Sequence, residues 1–141
     1  MIRIGILGDI GSGKTYVAKS FGYPVFNADV EVAKLYRKNL NVCRKLKKAL
    51  PKYFNKFPID KSLVIKAILA DHKNLKKIIK IIHQEIRKKL RIFIKKNKTR
   101  KIIVLDIPLL LENKINKKND ILIFVQSNKS SVSKKLKNRH N

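Results

Sequence analysis

Acidic residues are what this 141-residue chain has least of: nine Asp and Glu stand against 35 Lys and Arg, for a formal charge of +26 at pH 7. Cysteine occurs once, as Cys43, which excludes an internal disulfide and suits a reducing compartment. No apolar run reaches the roughly 20 residues of a membrane-spanning helix, so no membrane partner is expected. Met1 leads straight into a strand pattern, and the glycines that follow interrupt any secretory h-region; the expected location is the cytoplasm. Arginine is scarce beside lysine, and the lysines run the whole length of the chain with abundant Asn and Ile. AT-rich coding drift produces that combination, whereas a surface selected for nucleic acid favours the arginine fork. Both readings stay open, and no specific nucleic acid is expected. On the drift reading, DNA binding followed by anisotropy is weak, without sequence preference and steeply salt-dependent. Tight binding to one sequence at physiological salt would promote the polyanion reading.

What is present fits one domain: the length is right and 44% of residues are hydrophobic. Residues 8 to 15 read Gly-Asp-Ile-Gly-Ser-Gly-Lys-Thr, a full match to the phosphate-loop pattern G-x-x-x-x-G-K-[ST]. Ile2, Ile4, Ile6 and Leu7 before it read as a buried strand, and Tyr16 to Ser20 after it begin a helix. In that setting Gly8, Gly11 and Gly13 let the backbone approach phosphate oxygens without Cβ clashes. Ser12, Thr15, Tyr16 and the successive N–H groups complete the expected ATP cradle. Lys14 brings a full charge to the β- and γ-phosphates, and the Thr15 hydroxyl can ligate Mg²⁺.

Farther along, Pro24-Val25-Phe26 is a short strand ending at Asn27-Ala28-Asp29, and Val30 to Arg37 and Val42 to Leu50 read as helices. Asp60 is placed to cap a helix from Lys61 to about Ala70. From about Asn74 to Lys96, Leu75, Ile78, Ile82, Ile86, Leu90 and Phe93 recur at steps of three and four, one stripe of a long helix. Lys101 to Leu105 is a third strand leading into Asp106, and Ile121 to Val125 a fourth. A last basic helix is expected from about Lys129. Strands alternating with helices imply an α/β fold, a parallel sheet with helices on both faces.

Asp29 follows the second strand and Asp106 ends the third, so both carboxylates are expected at the carboxyl edge, where open α/β sheets bind ligands. Asp106 there can orient Mg²⁺, or cap a turn before Pro108. Asp29 can meet an acceptor, or cap the next helix. Arg139 lies in a basic segment suited to a closing lid. Together these describe a small-molecule kinase.

The segments Ile4 to Thr15, Asn27-Ala28-Asp29, Ile59 to Leu63, His83, Val104 to Asn113 and Lys135 to Arg139 occur in an order that resembles the dephospho-coenzyme A kinase family. The most specific of them is Asp106-Ile107-Pro108-Leu109-Leu110-Leu111-Glu112. The resemblance implies a P-loop NTPase fold, three layers α/β/α, with a core of about 1–29 and 98–126. It also implies a helical acceptor-binding insertion of about 30–97 and a partial lid of about 127–141, all in one domain. The implied reaction transfers the γ-phosphate of ATP to the 3′-hydroxyl of dephospho-CoA, the last step of coenzyme A biosynthesis. Carried over by position, Asp29 is the general base, Lys14 and Arg139 stabilise the transferring group, and Thr15 and Asp106 hold Mg²⁺. Lys61, His83, Arg87, Pro108, Leu109 and Leu110 contact the acceptor; on residue type alone a histidine such as His83 is more often a core or boundary residue.

Several positions depart from the family. Asp9 replaces a glycine, Tyr16 a threonine, Lys61 an arginine, Gln84 a proline and Lys135 the first lid arginine. The chain ends at Asn141, within the lid helix, so at least one α/β unit of roughly 30 residues is expected to be missing. ATP binding with slow or absent transfer is then the expectation. Another P-loop nucleoside or nucleotide kinase, an inactive ATP-binding fragment and a polyanion binder remain as alternatives; oligomeric state is left open.

Overall fold

The computed structural model describes residues 1–8, 13–107 and 120–126. The element order is β1 (Ile2–Gly8), α1 (Lys14–Ser20), β2 (Val25–Asn27), α2 (Ala28–Lys38), α3 (Leu40–Ala49), α4 (Lys61–Ala70), α5 (His72–Lys96), β3 (Ile102–Asp106) and β4 (Ile121–Val125). The expected last helix and the lid lie outside the described residues. Two compact units emerge, one of Met1–Ala28 with Phe93–Asn141 and one of Asp29–Ile92.

The first unit is a parallel four-stranded sheet in the order β2-β3-β1-β4. Alternation in β1 sends Ile4 and Ile6 to one face, where they bury with Val104 and with Ala18 of α1. Val25, Ile102, Ile123 and Val125 pack on the same cluster. Phe26 faces the other way, and the Phe93 ring in the last turns of α5 tilts onto it at 5.5 Å. That aromatic contact groups the end of α5 with the sheet. Arg3 and Asp120 form a buried ion pair, Nε to Oδ1 at 3.2 Å, which fixes β4 beside β1. Because every strand runs the same way, Gly8, Asn27, Asp106 and Val125 all close strands at one edge.

The boundaries show how local chemistry starts each helix. Gly13 precedes α1 with φ 89°, a left-handed conformation that glycine takes without Cβ strain. Gly22, at φ 73°, ends that turn. The helix starts at Lys14 rather than Tyr16. β2 passes directly into α2 at Ala28, two residues earlier than expected, so Asp29 lies within the first turn and does not cap the helix. Asn39 accepts from the Val42 N–H at 3.0 Å and Asp71 from the Lys73 N–H at 2.9 Å. These caps start α3 and α5 about one half-turn before the apolar pattern does. Asp60 caps α4 as expected, accepting from the Ser62 N–H at 3.0 Å.

The second unit holds the greater part of α2 and α5 with α3 and α4, and Leu35, Val42, Leu46, Phe54, Ile82 and Ile86 in it are all buried. Two glutamates tie these helices together. Lys89 on α5 donates to Glu31 on α2 at 3.0 Å, and Lys45 on α3 to Glu85 on α5 at 3.2 Å. Burial pushes both glutamates up, but hydrogen bonds and attraction from Lys89 and Lys34 at Glu31, and from Lys45 and Lys88 at Glu85, outweigh it. Both therefore lie below the ordinary glutamate value. A folded value below the unfolded one adds stability that is complete above the unfolded value and lost as pH falls through the folded one. Melting midpoints should accordingly decline as pH drops below the ordinary glutamate range, and Glu31→Gln with Glu85→Gln should flatten that decline. An equally steep decline in the double variant would contradict the assignment.

Candidate functional site

At the carboxyl edge of the sheet, Asp106 is the hub. It closes β3, is 2% exposed, and receives three partners from two other elements. The Lys14 ammonium lies 3.0 Å from its Oδ1. The Thr15 hydroxyl donates to its Oδ2 at 3.0 Å, and so does the Asn27 amide at 3.1 Å. A carboxylate this buried is tolerable only when paired and hydrogen-bonded, and here both oxygens are satisfied. The register explains the meeting: Asn27 pairs with Asp106 across β2 and β3, while Ile6 of β1 flanks it on the other side. Lys14 and Thr15 arrive because Gly13 turns the chain into α1 immediately after the loop.

The arrangement has clear chemical capacity. Lys14 has three donors, of which Asp106 takes one, leaving two for anionic oxygens. Thr15 donates its single proton to Asp106, so its lone pairs remain for a cation. Two oxygen donors 3.0 Å apart suit a hard cation that keeps waters and phosphate oxygens as its other ligands. Among the described residues no group of three or more His, Cys, Asp or Glu gathers to cage a metal. The described residues fit a cation shared with phosphates rather than one held by protein alone.

Of the residues singled out in the sequence, Lys14, Thr15 and Asp106 are therefore brought together. Gly8 ends β1 and Gly13 leads into α1, on the two sides of the loop. Tyr16 is on the outside of α1, 80% exposed. Gly11, Ser12, Pro108, Leu109, Leu110 and Arg139 lie outside the described residues. Asp29, Lys61, His83 and Arg87 belong to the second unit: Asp29 exposed in the first turn of α2, Lys61 exposed at the start of α4, and His83 and Arg87 half-buried on α5. The last two share one helix face, a turn apart. Sequence reasoning gave Asn27 no role of its own. The signal was there, since Asn27, like Asp106, is a polar residue closing an apolar strand.

With this geometry in hand, comparison with known proteins narrows the family. A family model described as dephospho-CoA kinase matches residues 2–141. The protein named dephospho-CoA kinase from Wolbachia sp. subsp. Brugia malayi (strain TRS) is 35% identical over 142 residues, covering 97% of this chain and 73% of that protein. Its namesake in Wolbachia pipientis wMel is 34% identical with the same coverage of both chains. A crystal structure from Thermus thermophilus matches with a TM-score of 0.75 and 27% identity, over 98% of this chain and 72% of that one. The chain belongs to the dephospho-CoA kinase family.

Proposed function

We propose that this chain transfers the γ-phosphoryl group of ATP to the 3′-hydroxyl of dephospho-CoA, giving CoA and ADP. The observation that carries the reading is the Lys14–Thr15–Asp106 cluster at the carboxyl edge of a parallel sheet, in a chain of this family. Lys14 binds the β- and γ-phosphate oxygens and offsets charge that grows between them as the terminal group leaves. Thr15 and Asp106 would hold Mg²⁺, which when bound neutralises phosphate charge. Asp29, two residues beyond Asn27 in the chain, takes the acceptor proton as the hydroxyl oxygen bonds to the γ-phosphorus and the bond to the ADP bridging oxygen breaks. We assign Arg139 to charge stabilisation on the transferring group. Lys61, His83, Arg87, Pro108, Leu109 and Leu110 are assigned to acceptor binding, with the helical second unit as the acceptor-binding part of the domain.

The cytoplasm is our reading for the site of action. A buried free thiol at Cys43 supports it, and among the described residues no helix is long and apolar enough to cross a membrane. The deciding experiment is ADP release with dephospho-CoA as acceptor, set against a panel of nucleosides. Release faster with dephospho-CoA than with any nucleoside is expected, even where the rate is low; release with a nucleoside and none with dephospho-CoA would overturn the reading.

A further inference from the structure

We propose that Asn27 is a positioning residue for the ATP-bound cation: its side-chain amide holds the Asp106 carboxylate in the orientation that fixes the Thr15 hydroxyl. This deepens the kinase reading and rests on it. Asp106 Oδ2 receives two donors, Thr15 Oγ1 at 3.0 Å and Asn27 Nδ2 at 3.1 Å, while Oδ1 pairs with Lys14 at 3.0 Å. Lys14 and Thr15 are neighbours on one short helix and move together. Asn27 stands on a different element, strand β2, fixed beside Asp106 by the parallel register. Among the described residues it is the side-chain partner of Asp106 that is anchored in the sheet rather than in the phosphate-binding helix. Without it, the polar partners left to orient the Asp106 side chain among the described residues are the two whose own positions Asp106 is to set.

The chemistry of the side chain points the same way. An amide gives Asp106 a donor and no charge. A carboxyl in its place would stand about 3 Å from an acid that is 2% exposed, where like charges disfavour ionisation and the pair would share a proton, whereas leucine has nearly the same size and no donor at all. The consequence reaches Thr15. Its proton points at Oδ2, so the direction of its lone pairs is set by where Oδ2 sits. Outer-shell partners that orient a ligand in this way typically change metal affinity by about 10–100-fold when removed.

The test is calorimetric titration of ATP, with excess Mg²⁺ and again in EDTA, on wild type, Asn27→Ala and Asn27→Leu. Matched near-ultraviolet spectra confirm folding. In wild type, Mg²⁺ should tighten ATP binding. In Asn27→Ala that tightening should shrink by about 10–100-fold, with the affinity in EDTA unchanged. Asn27→Leu should lose about as much, although it has nearly the same size; a residue that merely fills space would be rescued by it. If one variant does not fold, the other decides alone. Wild-type Mg²⁺ dependence in either folded variant overturns the inference and leaves the kinase reading standing. Wild type that binds no ATP under either condition defeats the kinase reading itself, and this inference with it.

Discussion

Replacing Asp29 with asparagine should lower turnover with dephospho-CoA by about 10²–10⁴-fold while leaving ATP affinity and folding nearly unchanged. That is the contribution expected of a positioned general base, and the amide keeps size and polarity but cannot take the acceptor proton. The competing account is that Asp29 only stabilises α2. Its place in the first turn, with Glu31 two residues on, suits the positive end of the helix, where a carboxylate adds about 0.3–1 kcal/mol. Capping is excluded because the helix has begun before Asp29. The two accounts separate cleanly when ADP release and melting are measured on the same preparations. A base shows a large loss of turnover and a small change in midpoint. A dipole partner shows the small midpoint change alone, and unchanged turnover would reduce Asp29 to that part.

How far the sequence anticipates the site follows from the distance over which each interaction acts. The phosphate loop is contiguous, and its strand and helix adjoin it, so Lys14 and Thr15 are legible from residues 2 to 20. Asp106 is legible because a carboxylate that closes an apolar run in an α/β pattern falls at the ligand edge. Asn27 is invisible as its partner because the two are 79 residues apart, and parallel register is set by packing of the whole sheet rather than by a connecting turn. The Arg3–Asp120 pair is hidden for the same reason. The helix starts slipped by local chemistry: apolar spacing marks the buried face, whereas the polar caps Asn39 and Asp71 sit ahead of it. At α2 no turn residue separates strand from helix, so nothing in Asn27-Ala28-Asp29 marks the boundary.

Lys14→Met should weaken ATP binding by about 10–150-fold, the equivalent of one lost charge-assisted hydrogen bond at 1.5–3 kcal/mol. It should also destabilise the protein, because it strands the Asp106 carboxylate at 2% exposure without its cation. Removing one member of a buried pair costs about 3–5 kcal/mol, and a Lys14 side chain 15% exposed puts this case toward the lower figure, since water can approach. The two effects share a residue but not a cause. Changing Asp106 to asparagine in the same chain removes the stranded charge while an amide keeps the size and an acceptor for Thr15. Lys14→Met with Asp106→Asn should therefore regain most of the lost melting temperature and none of the lost ATP affinity. Single variants that lose stability additively in the double variant would mean that the two side chains do not sense each other. ATP affinity equal to wild type in folded Lys14→Met would remove Lys14 from the phosphate site, and with it the physical basis for reading residues 8 to 15 as a nucleotide cradle.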